Sequence, residues 1–136
     1  MKNKECFYSS LFFLINALVA YKYKYYGYSL SFIFLTITSL FHHYHFNNIT
    51  RQIDRVAIII MIYLSTLIIY TKYKDKNINL MHILLFGILF SIVLFLYIYG
   101  KINNQYCFDT DHTTACLWHS FLHLMASSSH ILIVLL

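Results

Sequence analysis

Two pairs of residues four apart interrupt an otherwise apolar chain: Ser39 with His43, and His119 with His123. On a helix, residues i and i+4 share a face one turn apart, so each pair presents its polar groups together. Asp54 follows His43 by eleven residues. Three imidazoles, a carboxylate and a hydroxyl are the donor set of a zinc site that keeps one open, water-filled position. Neutral imidazoles suit Zn2+ at about 2.0–2.1 Å, and zinc can lower the pKa of a bound water to about 7. In such a site His43, His119 and His123 are the metal ligands. Asp54 acts on the water as general base, and Ser39 hydrogen-bonds the water or a developing oxyanion. A nucleophilic role for Ser39 fits less well, because a serine triad needs a histidine that is not bound to metal.

The elements that must position these groups are long and apolar. The 136 residues are 60% hydrophobic and 11% charged, without proline, and mean hydropathy is +0.62. Soluble domains carry about 25% charged residues. Uncharged stretches cover residues 6–21, 25–50, 56–71, 77–100 and 112–136, and a spanning helix needs about 20 mostly apolar residues. The expectation is an all-α, multi-pass transmembrane bundle of about five spanning helices, forming one domain over residues 1–136. The third stretch is short and borrows Ile53, Asp54 and Arg55 at its start.

A net charge of +5 raises the question of nucleic acid, but no basic face exists to carry it. Lys22, Lys24, Lys72, Lys74 and Lys76 fall in short connections, where they meet lipid headgroups. Lys2, Lys4, Arg51, Arg55 and Lys101 fall on the opposite side, so the positive-inside rule does not choose an orientation. Tyrosines cluster at segment ends, as in an interfacial aromatic belt. The first segment, residues 7–20, has Leu18 where a signal-peptide cleavage site wants a small residue, and is read as helix one.

Helix two runs from about Tyr28 to Phe46, and residues 47–52 form a polar connection that places Asp54 in the first turn of helix three. There the helix macrodipole favours a carboxylate. Helix four covers residues 78–99, with His82 as an interfacial histidine near its start. Helix five begins near Thr113, and His119, His123, Ser127 and His130 form one polar stripe facing the bundle interior. With alternating spans, the end of helix two and the starts of helices three and five lie on one side of the membrane. His43, Asp54, His119 and His123 then fall at similar depth. Cys6 and Cys107 also fall on that side, open to a disulfide, free thiols or lipidation, whereas Cys116 is read as packing.

The pattern Ser39-x-x-x-His43, then Asp54, then His119-x-x-x-His123 resembles the CREST superfamily of membrane hydrolases, which includes alkaline ceramidases, progestin-and-adipoQ receptors, Per1-type GPI-lipid remodelling proteins and myomaker-like proteins. The His43-to-Asp54 spacing is similar to the ceramidase and remodelling branches, and His119-Ser120-Phe121-Leu122-His123 to the myomaker-like branch. The resemblance covers residues 39–54 and 118–123. It implies zinc held by three histidines, Ser39 and Asp54 near the metal-bound water, and hydrolysis of an amide or ester bond in a membrane lipid. It also implies seven spans, against five here.

Two non-hydrolase readings stand beside this one. The first is a structural or receptor-like membrane protein that keeps the metal site for stability. The second is a haem-binding electron carrier with histidines on facing helices, which leaves Ser39 and Asp54 without a role.

Overall fold

Asn47, Asn79 and Asp111 each stand just before a helix, and each starts it in the same way. The Asn47 side chain accepts from the Thr50 amide, Asn79 from the His82 amide and Asp111 from the Thr114 amide. Each satisfies one of the donors that a helix start leaves open. His82 completes the cap at Asn79, its Nδ1 accepting from the Asn79 amide at 3.2 Å, which gives this interfacial histidine a local task.

The computed structural model describes residues 4–45 and 47–136. The order is α1 (Lys4–Ser9), α2 (Phe12–Lys22), α3 (Tyr26–His45), α4 (Asn48–Lys74), α5 (Leu80–Asn103), a 3-10 turn at Tyr106–Phe108, and α6 (His112–Leu135). Among the described residues there is no strand, so the chain is all-α. Phe46, where the second predicted helix ends, lies outside the described residues, as does Lys2.

Two boundaries differ from expectation. The first predicted helix is broken into α1 and α2. The Cys6 carbonyl, which would accept the Ser10 amide in an unbroken helix, takes the Ser9 and Ser10 hydroxyls at 2.9 and 3.1 Å. The Ser10 amide turns to Phe7 O at 3.2 Å instead. Such side-chain competition for backbone carbonyls disrupts helices. The second difference concerns α4. The Asn47 cap makes residues 48–52 helical rather than a polar connection, so Asp54 sits in the second turn and not at the mouth.

The interior joins α2, α3, α4 and α6 through Phe13, Ala17, Ala20, Phe32, Leu35, Ala57, Met61 and Val134. Ala17, Ala20 and Ala57 keep the contact faces thin, so the helix backbones can approach closely. By contrast α5 leans on α6 and the 3-10 turn, with Ile78 and Phe86 against Ile133.

Many polar side chains are buried beside the apolar core, and many large apolar side chains are exposed. Buried positions include Ser9, Ser10, Asn16, Ser29, Thr36, Thr38, Ser39, His43, Ser65 and Ser127, while Ile59, Leu84, Ile88, Phe95 and Ile102 are exposed. Helix α4 and the stretch Leu80–Phe108 are long and apolar enough to cross a membrane, and only 17% and 11% of their most apolar windows are buried.

Gly100 permits the end of α5. A Cβ there would lie 2.6 Å from the Gln105 carbonyl, whereas Gly87 has nothing within 4 Å. Gly100→Ala is therefore expected to cost about 1–3 kcal/mol through overpacking. Gly87→Ala should be neutral or slightly stabilising, because alanine is the better helix former. Thermal unfolding in detergent checks both, and equal effects at the two positions would remove the close-approach argument.

Candidate metal centre

His119 and His123 sit one turn apart on α6, and His43 approaches them from the last turn and a half of α3. Ring centroids are 4.9 Å apart for His43–His119, 5.5 Å for His43–His123 and 4.6 Å for His119–His123. One ligand nitrogen from each ring lies within 4.8 Å of the others. Tetrahedral zinc at about 2.0–2.1 Å from each nitrogen needs those atoms roughly 3.4 Å apart. Each ring need close inward by only about 1 Å.

The electrostatic argument for a cation is the state of His43. It is buried, and neither Nδ1 nor Nε2 has a hydrogen-bond partner among the described residues. Buried imidazole nitrogens without partners each cost on the order of 1–3 kcal/mol, and native interiors rarely keep them. Close to two further imidazoles, His43 offers a nitrogen that could serve, with one from each of them, as a metal ligand. Two helices thus present three neutral nitrogen donors to one point, the donor type that suits Zn2+ and neighbouring transition ions.

The other expected residues are nearby but engaged elsewhere. Ser39 Oγ, fully buried one turn before His43, is 3.0 Å from Ser10 Oγ. Asp54 Oδ1 accepts from Thr38 Oγ1 at 3.1 Å, which fixes the carboxylate one residue short of Ser39 along α3. The polar stripe of α6 does face inward. Ser127 donates to Asn16 Oδ1 at 2.5 Å, and His130 Nδ1 lies 2.6 Å from Tyr28 Oη and 3.1 Å from Ser65 Oγ. His130 therefore belongs to a separate cluster. Around the rim, His42 Nδ1 is 3.5 Å from Thr50 Oγ1 and the exposed His45 stacks on Phe41 at 5.8 Å. Packed three together, the site histidines leave no slot for a porphyrin between them, which argues against haem.

Sequence reasoning passed over Ser9 and Ser10. Ser9 Oγ lies 2.9 Å from His123 Nδ1, and Ser10 holds Ser39. With Asn16 they are the polar residues of the stretch 6–21, and that signal was available. The three cysteines form no disulfide. Cys6 Sγ instead meets the Cys116 carbonyl of α6 at 3.7 Å. Burial pushes the Cys107 thiol, in the loop before α6, up to about 12, so it stays protonated at neutral pH.

No protein-family model matches this chain, and no curated protein or solved structure matches it either.

His43→Leu separates a metal centre from a cluster of bare imidazoles. With a cation shared among the rings, the variant loses metal and is destabilised relative to the loaded wild type; a hundredfold excess of metal over Kd alone is worth about 2.7 kcal/mol. Without one, leucine removes two unsatisfied nitrogens and raises the melting temperature. Differential scanning in detergent with and without Zn2+ reads the sign, and a higher Tm for the variant under both conditions would sink the assignment.

Proposed function

We propose that this chain is a multi-pass integral membrane protein of about five spans that hydrolyses an amide or ester bond of a membrane lipid, with zinc held by His43, His119 and His123. The observation that carries the reading is three convergent imidazoles, one with both nitrogens unpartnered among the described residues, inside a bundle whose outer surface exposes many large apolar side chains. The resemblance to the CREST superfamily supplies the reaction class.

Support for several spans comes from segment length and polarity. At about 1.5 Å per residue, α4 and α5 are roughly 40 and 36 Å long, and α3 and α6 roughly 30 and 36 Å. All reach across a hydrocarbon core of about 30 Å. The polar groups of α3 and α6 point at one another, which removes the main objection to placing those helices in lipid. Among the described residues between the helices, Lys24, Asp75, Lys76, Asp109 and Asp111 carry the charge, consistent with headgroup contact.

Zinc, when bound, supplies Lewis acidity and lowers the pKa of a coordinated water to about 7. The chain's own residues then have separable tasks. His43, His119 and His123 stay neutral and donate lone pairs. Asp54, with Oδ1 fixed by Thr38, has Oδ2 left to receive the proton of the attacking water and return it to the leaving amine or alcohol. Ser39 sits one turn from His43 and hydrogen-bonds the attacking water. Exposed apolar side chains on α4 and α5 bring the acyl part of a lipid to the bundle surface without leaving the bilayer.

The competing reading, a metal site kept for stability in a receptor-like protein, draws on the Thr38–Asp54 hydrogen bond, which holds the carboxylate about one turn back from the histidines. Asp54→Asn decides between them. The amide keeps the Thr38 bond and is expected to leave metal content unchanged. Turnover of ceramides, phospholipids or GPI lipids should fall about 10²–10⁴-fold, the usual contribution of a positioned general base. A purified, zinc-loaded wild type inactive on all three lipid classes would favour the structural role.

A further inference from the structure

Building on the metal-centre reading above, we infer that the break between α1 and α2 is the positioning shell of the site: Ser9 fixes the tautomer and direction of His123, and Ser10 fixes Ser39. Neither serine is a ligand.

The argument is a count of protons. A serine hydroxyl has one proton to donate and two lone pairs with which to accept. With its one proton assigned to Cys6 O at 2.9 Å, Ser9 Oγ presents lone pairs toward His123 Nδ1, 2.9 Å away. Nδ1 must then carry the imidazole proton. A neutral imidazole has one N–H, so the Nε2 lone pair is the one that faces the cation. The same count applies one residue later. Ser10 Oγ donates to Cys6 O at 3.1 Å, and so accepts from Ser39 Oγ at 3.0 Å. Ser39 is left with lone pairs, as an acceptor from the attacking water rather than a donor to an oxyanion.

Three further observations make this a built arrangement. Ser9 and Ser10 are 6% and 0% exposed, so water does not compete for their oxygens. The carbonyl that both hydroxyls share belongs to Cys6, whose own Sγ reaches Cys116 O on α6, one turn before His119. The Phe13 ring packs against His123, tilted, at 5.0 Å between centroids, so the imidazole is held by a ring contact as well as at Nδ1. The interruption of the first helix, costly as backbone geometry, is what turns both hydroxyl oxygens inward.

The test uses the full chain in lipid nanodiscs, titrated with Zn2+ and with Co2+ as a spectroscopic stand-in. Ser9→Ala is expected to weaken metal binding 10–100-fold, the usual effect of removing an outer-shell partner of a histidine ligand. The Co2+ d–d bands should also weaken as the ligand loosens. Ser9→Thr, which keeps the hydroxyl, should restore both, and Ser31→Ala, which deletes a surface serine bonded to Gly27 O, should change neither. Wild type that takes up no metal removes the metal centre itself. Wild type that binds while Ser9→Ala binds equally well overturns only the positioning role, as does a loss that threonine does not repair. Should Ser9→Ala fail to assemble, imidazole 15N spectra of the zinc-loaded wild type decide directly: a protonated Nδ1 and metallated Nε2 on His123 are expected, and the reverse assignment overturns the inference.

Discussion

Most polar side chains inside this bundle find a partner within it, the buried atoms without one among the described residues being Asn16 Nδ2, Ser120 Oγ and the two His43 nitrogens. Outside, the helices offer isoleucine, leucine and phenylalanine; inside, serine, threonine, asparagine and histidine stand among buried alanine, phenylalanine and other apolar side chains. A polar group left unpaired among apolar neighbours costs several times what a paired one contributes. Helix packing is therefore directed by hydroxyls as much as by volume. Ser29 donates to Ala17 O at 2.7 Å between α2 and α3. Tyr28, Ser65 and His130 tie α3, α4 and α6 at one end, and Thr38 and Asp54 tie α3 to α4 toward the other. Against that background the two bare nitrogens of His43 are an exception with a direction, since they face two more imidazoles.

The site and the helix break are one structure. A straight first helix would direct Ser9 and Ser10 along the helix with Cys6 O occupied by a backbone amide. Giving that carbonyl to the two hydroxyls costs one regular turn and places two oxygens against His123 and Ser39. His123 on α6 and Ser39 on α3 are thus both addressed from the break between α1 and α2, which contributes no ligand of its own. Lys72 closes the far end of α6, donating to Val134 O at 3.0 Å where a helix C-terminus favours a cation.

Helix α5 plays a different part. It makes its contacts with α6 and the 3-10 turn and supplies nothing to the histidine cluster. What it does supply is parity: one more crossing returns the chain to the end where α6 must begin for His119 and His123 to meet His43. Its exposed apolar surface is in keeping with a lipid-facing role, and Gly100 lets the chain fold back tightly enough to begin α6 beside it.

Much of this was written in the sequence. The i, i+4 pairs Ser39/His43 and His119/His123 define which side chains share a face, because helical periodicity is a local property. Segment lengths and the absence of proline define helices, and the parity of the connections brings the right ends together. The inward stripe of α6 follows from the same periodicity. Other features were decided by tertiary contact. Periodicity names a face but not the neighbour that meets it, so nothing local says that Ser9 lies against His123, 114 residues away, or that Asp54 answers to Thr38. The fate of the Cys6 carbonyl, and with it the break in the first helix, depends on whether two hydroxyls gain more by turning inward than a backbone amide loses. The partners available in the packed bundle settle that competition, and an isolated stretch of chain does not contain them.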